Sequence, residues 1–250
     1  MEDVIMEAAI KTLEEISFNA HPAFNTMYYD GWLLRVAGGY THRANSVNTI
    51  YPSNLSINDK IEYCERFYTQ LNLPTVFKIT PLSLELDAVL DMRDYRIATP
   101  TNLMIADINP ISTSGLISVT ENGISENWQS SYFRLCQTRD ETIPLAKKVQ
   151  QNIIGRSICA TVTCNNEIVA CGLCVVEREY AGLYDIIVAP QHRRKGYGQD
   201  ICKALMFAAS QHGAKTAYLQ VVADNHNATR LYEKIGYKSA YQYWYRVKKL

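Results

Sequence analysis

Leu183-Tyr-Asp-Ile-Ile-Val-Ala-Pro-Gln-His-Arg-Arg-Lys-Gly-Tyr-Gly-Gln-Asp200 is the stretch on which the fold turns. Ile186, Ile187 and Val188 form a β-branched run that reads as a buried strand, and Pro190 ends it by having no N–H to donate. Gly196 and Gly198 admit backbone torsions that a side chain would forbid, so successive amides can turn toward one point. From Gln199 onward, Ile201, Leu205 and Ala208 recur at helical spacing. A helix start carries unpaired N–H groups and partial positive charge, and Arg193, Arg194 and Lys195 add fixed charge beside it. Strand, turn and helix together read as a cradle for a pyrophosphate.

A second stretch follows one strand later, Asn225-His-Asn-Ala-Thr-Arg-Leu-Tyr-Glu-Lys-Ile-Gly-Tyr237. Asp224, Asn225 and Asn227 are helix-capping residues, Ala228, Leu231, Tyr232 and Ile235 share a helical face, and Gly236 is a natural stop. Taken singly, the first stretch also reads as a capped helix start with a solvated basic turn, and the second as a short amphipathic helix. Their order and separation distinguish the pair. Arg193-x-x-Gly196-x-Gly198 after Ile187-Val188 resembles the acyl-CoA-binding motif of the GNAT N-acetyltransferases. Asn225-x-x-Ala228-x-x-Leu231-Tyr232-x-x-x-Gly236-Tyr237 resembles the segment that follows it in that family. The resemblance spans roughly residues 120–250.

Working outward, the 250 residues are 47% hydrophobic and 20% charged, enough for one large domain or two small ones. Formal net charge is zero, which disfavours a nucleic-acid surface, and the three-residue basic cluster suits a single phosphorylated ligand. No apolar run approaches the roughly 18 residues of a membrane helix. The first residues lack a basic segment of the secretory kind. Seven cysteines, an odd number scattered through apolar segments, suggest reduced thiols and a cytoplasmic protein. Cys171 and Cys174 lie three apart in a strand-like run, so they point to opposite faces and read as core residues rather than metal ligands.

The first half carries a helix over 2–16, a polar loop to Asp30, and a strand over 31–37 with Gly38-Gly39 as a hairpin turn toward 43–50. A helix to about Leu71, a strand over 75–79, a helix over 84–92 and an extended segment over 97–108 follow. Leu90–Tyr95 sits in this series where Tyr232–Tyr237 sits in the later one, a faint internal repeat without a basic glycine turn. A linker is expected over 109–123. Trp32, Arg35, Arg43 and Asn45 are candidates for groups facing an acceptor, with a structural hairpin as the preferred reading. The second half reads as helices over 126–137 and 141–154, a hairpin over 156–177 turning at Asn165-Asn166, then strand 180–189, helix 199–211, strand 216–222, helix 226–235 and an aromatic strand over 240–247.

The expected fold is α/β (α+β), a mixed, largely antiparallel GNAT-like sheet flanked by helices, with a second, smaller α/β domain at the N-terminus. The domains are expected at 1–110, a degenerate GNAT-like copy, and 111–250, the acetyl-CoA-binding catalytic domain. The resemblance implies acetyl transfer from acetyl-CoA to an amine by direct attack, with no metal. It implies cofactor contacts from Ile187, Val188, Arg193, Arg194, Lys195, Gly196, Tyr197, Gly198 and Asn225, the last also standing as a cap. Tyr232 is the candidate general acid, since a phenol is protonated at neutral pH. Asp185 is the candidate base, with Glu177 as its alternative, and His192 reads as a polar group on the phosphate side. The acceptor is an amine-bearing small molecule or peptide, and oligomeric state stays open. A non-catalytic acyl-CoA-binding module is the competing reading.

Overall fold

A computed structural model describes residues 2–108, 117–121 and 123–248. The elements in order are α1 (Glu2–Ala20), β1 (Asn25–Tyr29), β2 (Trp32–Val36), β3 (Val47–Thr49), α2 (Ile57–Gln70), β4 (Thr75–Ile79), α3 (Leu84–Asp91), β5 (Arg96–Asp107), β6 (Ile117–Thr120), α4 (Glu126–Cys136), α5 (Ile143–Gln151), β7 (Arg156–Cys164), β8 (Glu167–Glu177), β9 (Tyr180–Val188), α6 (Tyr197–Ser210), β10 (Thr216–Val222), α7 (His226–Lys234) and β11 (Lys238–Lys248). They form two compact units, residues 1–102 with 241–250, and residues 103–240.

That division differs from the expected cut between residues 110 and 111, because β11 turns back into the first unit. Its alternate residues Tyr241, Tyr243 and Tyr245 are buried, and its backbone pairs antiparallel with β4 from Trp244↔Ile79 to Lys248↔Thr75. Arg246 fixes the strand further, donating from Nε to Asp87 at 2.7 Å and from Nη1 to Asp91 at 2.6 Å on α3. Part of the expected linker is also structured, since β6 pairs antiparallel with β7. Residues 109–116 and 122 of that linker lie outside the described residues.

In the first unit, the strands run β1-β2-β3-β4, antiparallel except for the parallel pair β3 and β4. A tight turn at Asp30-Gly31, with φ of 42° and 79°, joins β1 to β2. Gly38-Gly39, with φ of 60° and 77°, turn the chain after β2 toward its antiparallel partner β3, the Tyr40 N–H donating to the Ala37 carbonyl at 3.2 Å. Trp32, Leu34, Ile61, Cys64, Tyr68, Phe77 and Leu90 pack into one core. The α1 face is more polar: Lys78 on β4 donates to Glu14 at 2.6 and 2.7 Å, and the Tyr241 hydroxyl donates to the same carboxylate at 2.7 Å. Trp32, Arg35 and Asn45 are buried in this unit, and Arg43 is half-buried. Arg35 donates to the carbonyls of Phe18 and His21, and Asn45 accepts from the amides of Ala37 and Gly39.

In the second unit, β6, β7, β8 and β9 are antiparallel neighbours and β10 runs parallel to β9. Asn165 and Asn166, with φ of 51° and 62°, make the two-residue turn between β7 and β8. The sheet is mostly antiparallel and flanked by helices. Helix α6 covers one face through Ile201, Leu205 and Ala208, and Gly172 on β8 lets it approach: a Cβ there would lie 2.6 Å from Ile201 Cγ2. Among the described residues no helix is long and apolar enough to cross a membrane.

Candidate active site

Strands β9 and β10 pair over only four residues, Thr216↔Tyr180 to Leu219↔Leu183. Beyond Leu183, β9 continues to Val188 and β10 to Val222 with no further pairing between them among the described residues, so the two parallel strands part. The other edge of β9 stays paired to β8 as far as Ala170↔Val188. The Ala189 N–H donates to the Val169 carbonyl at 2.8 Å, so Ala189 faces β8. Alternation then turns the N–H and C=O of Val188 toward the gap, where Arg193 Nε donates to the Val188 carbonyl at 3.3 Å.

The turn after β9 is built as the two glycines suggest, for two separate reasons. Gly196 caps α6 with φ 89°, a left-handed torsion, and has no side chain to satisfy the helix amides. The first intrahelical bond runs from Asp200 N–H to Gly196 C=O, which leaves the amides of Tyr197, Gly198 and Gln199 without a helical acceptor. Gly198 serves close packing instead. A Cβ there would lie 3.0 Å from Leu231 Cδ1 on α7 and 3.6 Å from Val188 Cγ2 on β9. At this point the strand end, the helix start and the second motif meet. Arg193, Arg194 and Lys195 are exposed on the turn, and Arg194 also takes φ 61°.

Tyr232 follows Leu231 on α7, half-buried, its ring edge-on to Tyr237 with centroids 5.9 Å apart. Burial, chiefly, pushes its phenol above the usual value, so it keeps its proton at neutral pH. Asn225 caps α7, its side chain accepting from the Ala228 amide at 3.2 Å. His192 stacks on Tyr197 with centroids 6.4 Å apart. Ile187 and Val188 are half-buried at the end of β9.

Asp185 lies in a β-bulge, where β9 slips register against β8 between Cys171 and Leu173, and its own φ is 55°. The bulge turns its carboxylate toward α4 and α5. Gln150 Nε2 donates to Asp185 Oδ2 at 3.1 Å, and Gln129 Nε2 donates to Gln150 Oε1 at 2.9 Å. Cys136, Cys159 and Cys171 share this neighbourhood. Burial pushes Cys136 up to about 11 and Cys159 to about 12, with Asp185 acting in the same direction. These thiols are therefore neutral near pH 7. Glu177 pairs with Tyr180 at the far end of the β8–β9 hairpin, eight residues along β9 from Val188, roughly 25 Å at 3.3 Å per residue. Asp185 is three residues from Val188, roughly 10 Å, so geometry favours it over Glu177.

Gln129 and Gln150 were not legible as site residues. Both are buried, at 6% and 8% exposure, although they stand on otherwise amphipathic helices, and a buried pair of glutamines becomes visible only once a partner carboxylate is placed. Among the described residues no cluster of histidine, cysteine or acidic side chains is arranged to hold a metal ion.

Residues 7–246 match the family model described as "Probable histone acetyltransferase Rv0428c C-terminal". The chain belongs to this acetyltransferase family, within the GNAT fold. The uncharacterized N-acetyltransferase YobR of Bacillus subtilis is 29% identical over 248 residues, covering 96% of this chain and 99% of that protein. The [Ribosomal protein bS18]-alanine N-acetyltransferase of Haemophilus influenzae is 33% identical over 73 residues, which is 29% of this chain and about half (49%) of that enzyme. In fold, the GCN5-related N-acetyltransferase from Kribbella flavida is similar with a TM-score of 0.72 at 11% identity, covering 95% of each chain. A tandem GNAT protein from the clavulanic acid biosynthesis pathway gives a TM-score of 0.65 at 10% identity, covering 94% of this chain and 87% of that one. The protein is an N-acetyltransferase.

Proposed function

We propose that the acetyltransferase moves an acetyl group from acetyl-CoA to an amine by direct attack within a ternary complex. The observation that carries this reading is the parting of β9 and β10 beside a helix start that has no side-chain cap, which leaves the first α6 amides unspent next to the gap. The α6 amides with Arg193, Arg194 and Lys195 suit a pyrophosphate, and Tyr197 and Asn225 stand at the two helix starts beside it. Ile187 and the gap-facing backbone of Val188 suit a pantetheine arm and a thioester carbonyl. Acetyl-CoA supplies the acyl group on an activated thioester.

Asp185, held by Gln150 and Gln129, takes a proton from the amine as its nitrogen bonds to the thioester carbon. The C–S bond breaks, and the departing sulfur takes its proton from Tyr232. The acceptor is an amine-bearing small molecule or a peptide, and the first unit is a degenerate GNAT-like copy. Seven free cysteines suit a reducing, cytoplasmic setting. Release of free thiol from acetyl-CoA, followed across a panel of amines and amino-terminal peptides, tests the reading. Acceptor-dependent release supports it. Tight acetyl-CoA binding without release to any acceptor favours a binding module, and absence of CoA binding refutes the cradle.

A further inference from the structure

The two units share one construction. In each, two antiparallel strands lead to a third (β1, β2, β3; β7, β8, β9), a helix follows (α2; α6), and the next strand returns parallel to the third (β4; β10). A second helix then ends in the same way. Tyr95 N–H donates to Leu90 C=O, and Tyr237 N–H to Tyr232 C=O, both at 3.1 Å, after left-handed residues Asp94 and Gly236. Matching the units element by element sets the loop 50–56 in the place of the turn 189–196, and Leu90 in the place of Tyr232.

The loop of the first unit already holds an anion. Asp30, at the β1–β2 turn, accepts from the Asn54 amide at 3.0 Å, the Leu55 amide at 2.8 Å and the Ser53 hydroxyl at 2.8 Å. Asn54 and Leu55 stand two and one residues before the α2 cap Ser56, as Arg194 and Lys195 stand before Gly196. Lys60, with no exposed side-chain surface, places its ammonium 3.2 Å from Asp30 Oδ2 and 4.1 Å from the centre of the Trp32 ring. The Leu55 amide, first among these contacts, holds the Asp30 carboxyl far below its usual range. The turn is fitted to the loop: a Cβ on Gly31 would overlap the Pro52 carbonyl.

We infer that the first unit keeps an anion site of the same design as the second, filled by its own Asp30 carboxylate, so that the chain binds one acyl-CoA and not two. The inference rests on the acyl-CoA reading of the second unit. Chemically, a carboxylate offers backbone amides and an ammonium what a phosphate would: negative charge and oxygen acceptors. Being tethered, it occupies the site at an effective concentration that a dissolved ligand has to exceed. Leu90, lacking a hydroxyl, leaves the first unit without a proton donor at the matched position.

Native mass spectrometry of the full chain with excess acetyl-CoA counts the sites. One molecule on the wild type and none on Arg193→Glu/Arg194→Glu is expected. Two on the wild type, or one retained by the double variant, overturns the inference. A wild type that binds none refutes the acyl-CoA reading instead, and a second arm then decides the inference alone. Asp30→Ala bares the Asn54 and Leu55 amides. Sulfate at tens of millimolar is expected to raise its Tm by about 3 °C more than it raises that of the wild type, the wild type correcting for general salt effects. Equal shifts in the two proteins overturn the proposal of an anion site in the first unit.

Discussion

Replacing Tyr232 with phenylalanine separates catalysis from packing, because the structure assigns the ring and the hydroxyl different surroundings. The ring packs edge-on to Tyr237 and against the core of the second unit, and phenylalanine keeps both contacts. Among the described residues no hydrogen bond to the hydroxyl is seen, so its loss strands no partner. Stability is therefore expected to change by less than about 0.5 kcal/mol, which is about 2 °C or less in Tm. The turn 193–198 is untouched, so acetyl-CoA affinity is expected to stay within about twofold, under about 0.4 kcal/mol.

Activity is expected to respond quite differently. A positioned general acid contributes about 10²–10⁴ in rate, equivalent to about 2.7–5.4 kcal/mol of transition-state stabilisation. Because burial raises the Tyr232 phenol above its usual value, the wild type is expected to show no loss of this acid below about pH 10. The assay is steady-state thiol release with saturating amine, beside calorimetric acetyl-CoA binding and a thermal melt on the same preparations. A kcat reduced less than about threefold, with binding intact, refutes Tyr232 as the acid. A large loss accompanied by a Tm drop of more than about 5 °C assigns the residue to packing instead.

Two further substitutions probe the scaffold and the base. Glu14→Gln leaves the buried Lys78 ammonium without its carboxylate, and chemical denaturation is expected to show a loss of about 3–5 kcal/mol; a loss below about 1 kcal/mol would mean that the pair contributes little. Gln150→Ala removes the amide that donates to Asp185, and such a donor favours the charged form of a carboxylate. The acidic limb of the kcat/KM profile is expected to move to higher pH, with Tm tracked alongside, and an unmoved limb detaches Asp185 from proton removal.

Local signals in the sequence were enough for the second unit from β7 to α7, though not for β6, which forms only by pairing with β7. Pro190, Gly196 and Gly198 punctuate β9 and α6 within a few residues, and Asn165-Asn166 specifies its turn by torsion alone. Signals that depend on distant partners were not legible. Asn25–Tyr29 reads as a loop because Asn, Thr and Met alternate weakly, and it becomes β1 only by pairing with β2. The aromatic alternation of β11 declares a strand but not its neighbour, and the neighbour is β4, far back in the chain. Asp185 was legible as an acid on a strand, whereas the bulge that turns it toward Gln150 arises from the register against β8. The carboxylate in the first unit was hidden for the same reason: Asp30 reads as the end of a polar loop until the loop 50–56 folds onto it.

The two helix starts differ in one respect that can be transferred. Ser56 spends its hydroxyl as an acceptor for the Asp59 amide at 3.2 Å, whereas Gly196 leaves the corresponding amides of α6 unspent. The glycine therefore contributes by what it lacks, and Gly196→Ser should bring an internal competitor for the ligand's oxygens. Any side chain at φ 89° carries strain of about 1–2 kcal/mol, so Gly196→Ala serves as the control with the strain and without the hydroxyl. Space does not confound the comparison, because a Cβ there meets nothing nearer than Asp200 Oδ2 at 3.7 Å. A cap hydroxyl is worth about 1 kcal/mol to a helix, so the serine variant is expected to melt above the alanine variant yet bind acetyl-CoA about fivefold more weakly than it. Stability and affinity moving in opposite directions is the signature of amides shared between a cap and a ligand. Were the serine variant to bind as tightly as the alanine variant while melting higher, the α6 amides would not be ligand contacts, and the affinity would rest on Arg193, Arg194 and Lys195.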